Sequence, residues 1–241
     1  MKTITKFIYF GFASLALACF ALAVTSVASA TGSGPSLSGY SGHSGQAPTL
    51  LGQTALAVLY DQNSNDSGVG IVSQNFESAF DIYDSQGADD FTVPSGFKWK
   101  VQEVDVTGVY FNGSGPAPSV HVTFYKNSGG LPDSSNVVAD FPAIVPVDNG
   151  FGSFLILLPD AAVFKPGTYW VSGQANMDFA LGGEWGWENS TVTNGSPAGW
   201  QNPGDGFGTG CTSWGVEIVC VPVGGPDKMF ALKGKAQEWS P

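Results

Sequence analysis

A two-residue rhythm of apolar and polar side chains, broken by glycine, proline and asparagine–glycine pairs, runs through most of this chain. Residues 119–125 are the clearest case. Val120, Val122 and Phe124 share one face, while His121, Thr123 and Tyr125 share the other. Only an extended strand sends successive side chains to opposite faces, so the rhythm predicts half-buried β-strands. Val104 and Val106 alternate with Glu103, Asp105 and Thr107 in the same way. No stretch shows a convincing helical period, and no repeat at 20–50 residue spacing is present. Asn149-Gly150 predicts a type I′ hairpin joining 143–147 to 152–158, because that pair readily takes positive φ. Pro166-Gly167 predicts a turn into a strand at 168–172, and Asn112-Gly113 and Asn194-Gly195 are further turn signals. The apolar run 154–158 reads as a strand covered on both faces. Glycine (33) and proline (15) are in excess, yet 43% hydrophobic and 13% aromatic residues suffice for a core. The expected fold is all-β, a jelly-roll-like antiparallel β-sandwich, with a closed barrel as the second choice.

Lys2 and Lys6 precede an apolar stretch at 7–20, and small residues then run to Ala28-Ser29-Ala30. This is the order of a secretory signal peptide, with cleavage expected after Ala30. The uncharged run 7–30 is also long enough to span a bilayer. The A-x-A site beside a Gly/Ser tract favours cleavage over an anchor. The expected organisation is a signal peptide at 1–30, a Gly/Ser-rich flexible linker at 31–53, a β-sandwich at 54–234 and a tail at 235–241. Loss of the leader removes Cys19 and leaves Cys211 and Cys220, an even pair in an exported chain. A disulfide between them is expected, closing a short loop and stabilising by roughly 2.5–3 kcal/mol in the chain-entropy model.

The chain has no arginine, and its formal net charge is −11. Removal of Lys2 and Lys6 makes the balance more acidic still. Nucleic acid is therefore excluded as a partner, and so is an anionic membrane after signal cleavage, since phosphate binding needs a basic surface.

An ordered series of motifs spans 60–234. It opens with Ala88-Asp89-Asp90-Phe91-Thr92-Val93-Pro94 and passes through Val106-Thr107-Gly108-Val109-Tyr110-Phe111 and Gly129-Gly130-Leu131-Pro132. Gly167-Thr168-Tyr169-Trp170-Val171 and Trp185-Gly186-Trp187 follow, and Asp227-Lys228-Met229-Phe230-Ala231-Leu232-Lys233-Gly234 closes it. The series resembles an uncharacterised family of secreted or cell-surface bacterial β-sandwich domains, often found beside C-terminal sorting anchors. The resemblance implies export and a sandwich, and it carries no catalytic residue across. The last residues, 235–241, lack an apolar tail or basic stop, so free secretion is expected rather than anchoring.

A Ser-His-Asp hydrolase is disfavoured, because no G-x-S-x-G occurs and His121 is the only histidine in the expected domain. A glycosidase needs only two carboxylates, and Glu184 and Glu188 flank Trp185-Gly186-Trp187. In a strand, however, the two glutamates point away from the two tryptophans, which argues against one shared cleft. Indole faces suit stacking on a pyranose. Trp185, Trp187, Trp200 and Trp214 are the candidate ligand-binding residues. Burial in the core is the favoured role for the first two, while Trp200 and Trp214 lie in Gly-rich segments where ligand contact is expected. Asp81, Asp84, Asp89 and Asp90 fall within ten residues, and Asp84, Asp89 and Asp90 form a candidate structural calcium site. Solvated turn chemistry is the favoured alternative for these acids. The leading expectation is an exported, non-enzymatic binding or adhesion module, for a neutral extracellular polysaccharide. A secreted carboxylate-based glycoside hydrolase and a structural component of envelope or matrix are the rivals.

Overall fold

In a computed structural model, the described residues, 34–40, 45–49 and 55–240, hold seventeen strands, two single-turn α-helices and one 3-10 turn at Asp81–Tyr83. The expected signal peptide and its cleavage site lie outside the described residues. In chain order the first strands are β1 (Ser38–Tyr40), β2 (Ala57–Asp61), β3 (Asp66–Val72), β4 (Gln74–Asn75), β5 (Gln86–Val93) and β6 (Phe97–Val106). Next come β7 (Gly108–Phe111), β8 (Ser119–Ser128), β9 (Leu131–Ile144), β10 (Val147–Asp148), β11 (Phe154–Phe164) and β12 (Gly167–Asn176). The last are β13 (Glu184–Ser190), β14 (Gly199–Gln201), β15 (Gly215–Val216), β16 (Asp227–Lys228) and β17 (Phe230–Glu238). The helices are α1 (Phe179–Gly182) and α2 (Glu217–Cys220). No helix among the described residues is long and apolar enough to cross a membrane.

Three sheets form. The largest runs β15-β14-β5-β12-β8-β9, with β4 beside β12. The second runs β10-β11-β6-β17-β2, and the third β1-β3-β13-β16, with β7 also on β13. Only β4–β12 is parallel; every other pairing is antiparallel. The fold is the expected all-β, jelly-roll-like antiparallel sandwich. The chain crosses from the second sheet to the third at Thr107, between β6 and β7.

Alternation explains the core. Val120, Val122 and Phe124 on β8 are fully buried, and they join Phe91 of β5 and Val171 of β12. Val101, Val104, Phe164 and Leu232 face them from the second sheet. Phe91 stacks on Trp99 at 6.2 Å between ring centroids and meets Phe164 edge-on at 5.2 Å, which ties the two layers together. Each such side chain contributes about 1.5–3 kcal/mol on burial. From the third sheet, Trp185 stacks on Phe154 at 5.2 Å and Trp187 meets Phe230 at 6.1 Å. Both indoles are fully buried and donate to carbonyls, of Gly152 and Met229 respectively.

Three sequence expectations are corrected. The segment expected as a linker is not all tether: within it, Ser38–Tyr40 pairs with β3 as β1. Gly39 lies against the Phe111 ring, where any Cβ would overlap the ring, so this glycine serves close packing. The expected tail also belongs to the sheet. Strand β17 continues to Glu238 opposite Phe97 on β6, and the amide of Trp239 donates to the carbonyl of Gly96. Finally, Asn149-Gly150 does not make a two-residue turn. Val147 pairs with Leu155 and Asp148 with Phe154, leaving a five-residue loop. Within it the Asn149 side chain accepts from the amides of Phe151 and Ser153, and positive φ falls on Gly150 and Gly152.

Candidate functional site

The chain has seven tryptophans, and five of them, Trp99, Trp170, Trp185, Trp187 and Trp200, are at most 6% exposed. Burial of Trp200 corrects the expectation that it meets ligand. It sits on β14 rather than in a loop, its Nε1 donates to the carbonyl of Val72 at 2.8 Å, and it packs with Ile71, Val72, Phe76 and Val221. Trp185 and Trp187 are likewise inaccessible, as their strand alternation implied. Only Trp214 and Trp239 are partly exposed. Trp239 carries two ammonium groups over its ring, Lys98 at 5.4 Å and Lys165 at 5.0 Å. Among the described residues no ammonium lies over the Trp214 ring.

Trp214 is placed by three constraints. It lies in the loop closed by Cys211 and Cys220, which stand in disulfide geometry with Cα atoms 5.9 Å apart. The next residue, Gly215, begins β15, which pairs with β14 at the edge of the largest sheet. Gly215 has no room for a side chain, since a Cβ there would come within 2.8 Å of the Cys220 sulfur. The indole then meets Tyr125 of β8 edge-on, centroids 5.8 Å apart and planes at 71°, over an outer cluster of Ala88, Tyr125 and Trp170. Its Nε1 is covered and has no hydrogen-bond partner among the described residues. The ring is therefore held by packing, and what it offers solvent is π surface rather than a donor.

Beside Trp214 runs an open groove of about 410 Å³, bordered by Ser128, Pro132, Asp133, Ser134, Ser135 and Ser213. Asp133 Oδ1 accepts from the amide of Ser135 at 3.0 Å and from its hydroxyl at 2.5 Å, and Oδ2 accepts from Asn136 at 2.7 Å. The Ser135 hydroxyl and the Asn136 amide hold this carboxyl below its ordinary pKa, so it stays an anionic acceptor. A partly exposed aromatic ring flanked by short hydroxyls and one fixed acceptor can take a ligand that combines apolar surface with hydroxyl donors.

A second groove, of about 310 Å³, is bordered by Tyr40, Tyr110, Ser114 and Phe151. Tyr40 is 74% and Phe151 59% exposed. Neither stands out in the sequence: Tyr40 falls in the expected linker, and Phe151 in a loop three residues longer than the expected two-residue turn.

The remaining candidates do not gather into one site. Asp84 Oδ1 accepts from the Phe76 amide, Asp90 Oδ1 from the Ser196 amide, and Asp89 Oδ2 from Gln62 Nε2 and the Lys228 amide. Asp89 and Asp90 are consecutive on β5 and so project to opposite faces. These three carboxylates do not fit a calcium ion as one group, and no group of three metal-binding side chains occurs among the described residues. Glu184 and Glu188 are both fully buried, which keeps the pair from a polymeric substrate. Burial pushes Glu184 up to about 7, against hydrogen bonds from Asn112 and Ser36 that lower it. His121 Nε2 lies 2.6 Å from Asp140 Oδ1, and the Thr123 hydroxyl donates to the same oxygen.

No family model and no curated protein matches the sequence. Among solved structures, the chain is similar to the cysteine protease and lectin-like domains of a surface-layer-associated protein of Clostridium difficile, with a TM-score of 0.45 and 10% identity. The match covers 72% of this chain and 35% of that one, so it spans about a third of the other protein's length.

Proposed function

We propose that this domain is an exported, non-enzymatic binding or adhesion module that holds a neutral extracellular polysaccharide along the Trp214 groove. The observation that carries the proposal is the state of Trp214: partly exposed, rigidly seated against Tyr125, and bordered by serine hydroxyls and an anionic Asp133. Rigid seating matters because a ring that does not have to be ordered on binding loses less entropy. The net charge of −11 favours an uncharged ligand over an acidic one.

Calorimetry against neutral glucans, mannans and xylans tests the proposal. Trp214→Ala is expected to weaken binding at least tenfold with little change in melting temperature, while Trp239→Ala and Tyr40→Ala bind as the parent does. Loss of binding in Tyr40→Ala alone would move the site to the second groove. Absence of binding to any glycan, with self-assembly in sedimentation, would replace the proposal with the structural role. Release of reducing ends from any of these polymers would replace it with the hydrolase.

A further inference from the structure

The fold buries one lysine completely. Lys228, on the two-residue strand β16, is 0% exposed, as are Glu217 and Asn189. Its neighbour across the sheet is Asn189 on β13. Residues directly opposite in an antiparallel pair project from the same face with Cβ atoms about 4.5–5.5 Å apart. The third group, Glu217, opens α2 inside the Cys211–Cys220 loop. Lys228 Nζ donates to Glu217 Oε1 at 2.8 Å and lies 2.6 Å from Oε2. Asn189 Nδ2 donates to the same Oε1 at 2.6 Å. An amine, a carboxyl and a carboxamide from three separate segments thus meet on one oxygen.

We propose that Lys228 and Asn189 are the two ends of an intramolecular isopeptide cross-link formed by the protein itself, with Glu217 as the proton carrier. In the step, the neutral Lys228 amine adds to Asn189 Cγ, and the carbonyl π pair moves onto Oδ1. Glu217, protonated at the start, delivers its proton to Nδ2 and takes one from Nζ. The Oδ1 pair then re-forms the carbonyl, the Cγ–Nδ2 bond breaks, and ammonia leaves. One amide is exchanged for another, so no oxidant, reductant or activating group is needed.

Several features suit this chemistry better than a plain ion pair. Oε1 bridges the nitrogen that must lose a proton and the nitrogen that must gain one, which is the position a relay requires. Asn189 Nδ2, the leaving nitrogen, is held by Glu217 at 2.6 Å and by the carbonyl of Asp227 at 3.0 Å. The lysine stem crosses Gly87, where a Cβ would stand 3.1 Å from Cε, and that same Cβ position is 3.7 Å from the Trp187 ring, so carbon rather than water surrounds the stem. Desolvation lowers the Lys228 pKa, opposed by Glu217 and Asp89, and desolvation also raises that of Glu217, opposed by Lys228. Both desolvation effects favour the free amine and the protonated acid, the forms the step begins from.

Intact-mass measurement of the purified protein after reduction and denaturation, followed by peptide mapping, tests the cross-link. The expected result is a chain lighter than its sequence by one ammonia and a branched peptide joining Lys228 to Asn189. Glu217→Gln is expected to fold and to show the full mass; a cross-link persisting in that variant would overturn the role given to Glu217. If the variant does not fold, the map of the parent protein decides alone. Tryptic cleavage after Lys228 with Asn189 intact would overturn the proposal, as would an ammonia loss that maps to Asn194-Gly195.

Discussion

Ser36 and Glu184 are joined across 148 residues: the Ser36 amide donates to Glu184 Oε1 at 2.7 Å and its hydroxyl to Oε2 at 3.1 Å. Asn112 Nδ2 completes the cage with a 2.6 Å bond to Oε2. The buried carboxylate of β13 therefore depends on a segment that composition marked as tether. A protein truncated to begin at residue 45 loses these Ser36 bonds and β1 together. Hydrogen bonds to a charged group contribute about 1.5–3 kcal/mol, and an unpaired buried acceptor costs more. The truncated protein is expected to be about 2–4 kcal/mol less stable in urea titration. An unchanged midpoint would restore the tether.

The same carboxyl sets a pH dependence. Burial raises Glu184 to about 7, Asp227 to about 7 and Asp90 to about 6, and it pushes Asp89 up as well. A carboxyl whose folded pKa lies above its unfolded value binds more protons when folded. Its contribution is then present in full below the unfolded pKa, near 4, and is lost as pH rises through the folded value. The melting temperature is expected to fall by several degrees between pH 5 and pH 8, in the direction opposite to an ordinary paired carboxylate. Asp227→Asn, which keeps an acceptor for the Asn194 amide, should flatten that slope. A melting temperature that rises over this range would contradict the assignment.

What could be read from sequence follows from how local each signal is. The alternation at 119–125 and the pair Trp185 and Trp187 reported faces correctly, because a strand's period is fixed by its own backbone. Pro166-Gly167 marked a real turn, with Gly167 at φ +146°. The errors lie where partners are distant. Trp200 looked loop-borne because the flanking residues are Gly199 and Gln201, yet β14 is short and paired to β5, and its one large side chain is swallowed by Ile71, Val72 and Phe76. Strand β1 shows no apolar alternation because it is a three-residue edge whose glycine packs on Phe111. The Lys228–Glu217–Asn189 group joins positions 189, 217 and 228 through register alone, and no spacing rule signals it.

The disulfide gives a further test, since the loop it closes also carries the candidate ligand contact. Cys211 and Cys220 are nine residues apart, so paired replacement by serine should cost roughly 2–3 kcal/mol in a chain-entropy account. The same change frees Gly215 and Trp214 to move relative to β14. Glycan affinity is expected to fall in the doubly substituted protein even where it remains folded, and calorimetry below its unfolding temperature reads that loss directly. Full affinity in the folded, unbridged protein would show that the loop does not position Trp214.

Trp200 and Trp214 are fourteen residues apart in sequence and are expected to respond oppositely to the same substitution. Trp200 loses a 2.8 Å bond to the Val72 carbonyl and leaves a cavity beside Phe207, whose ring centroid is 6.1 Å away. Trp200→Ala should therefore cost about 3–5 kcal/mol, with much of the loss set by how little the surrounding strands collapse. Trp214→Ala removes a partly exposed ring whose main neighbour is Tyr125, so its stability cost should stay near 1 kcal/mol while binding is lost. Urea titration and calorimetry on both variants separate the two roles. If Trp200→Ala keeps its stability and loses glycan binding, the buried position given to that indole is wrong, and the loop assignment drawn from its glycine-rich neighbours returns.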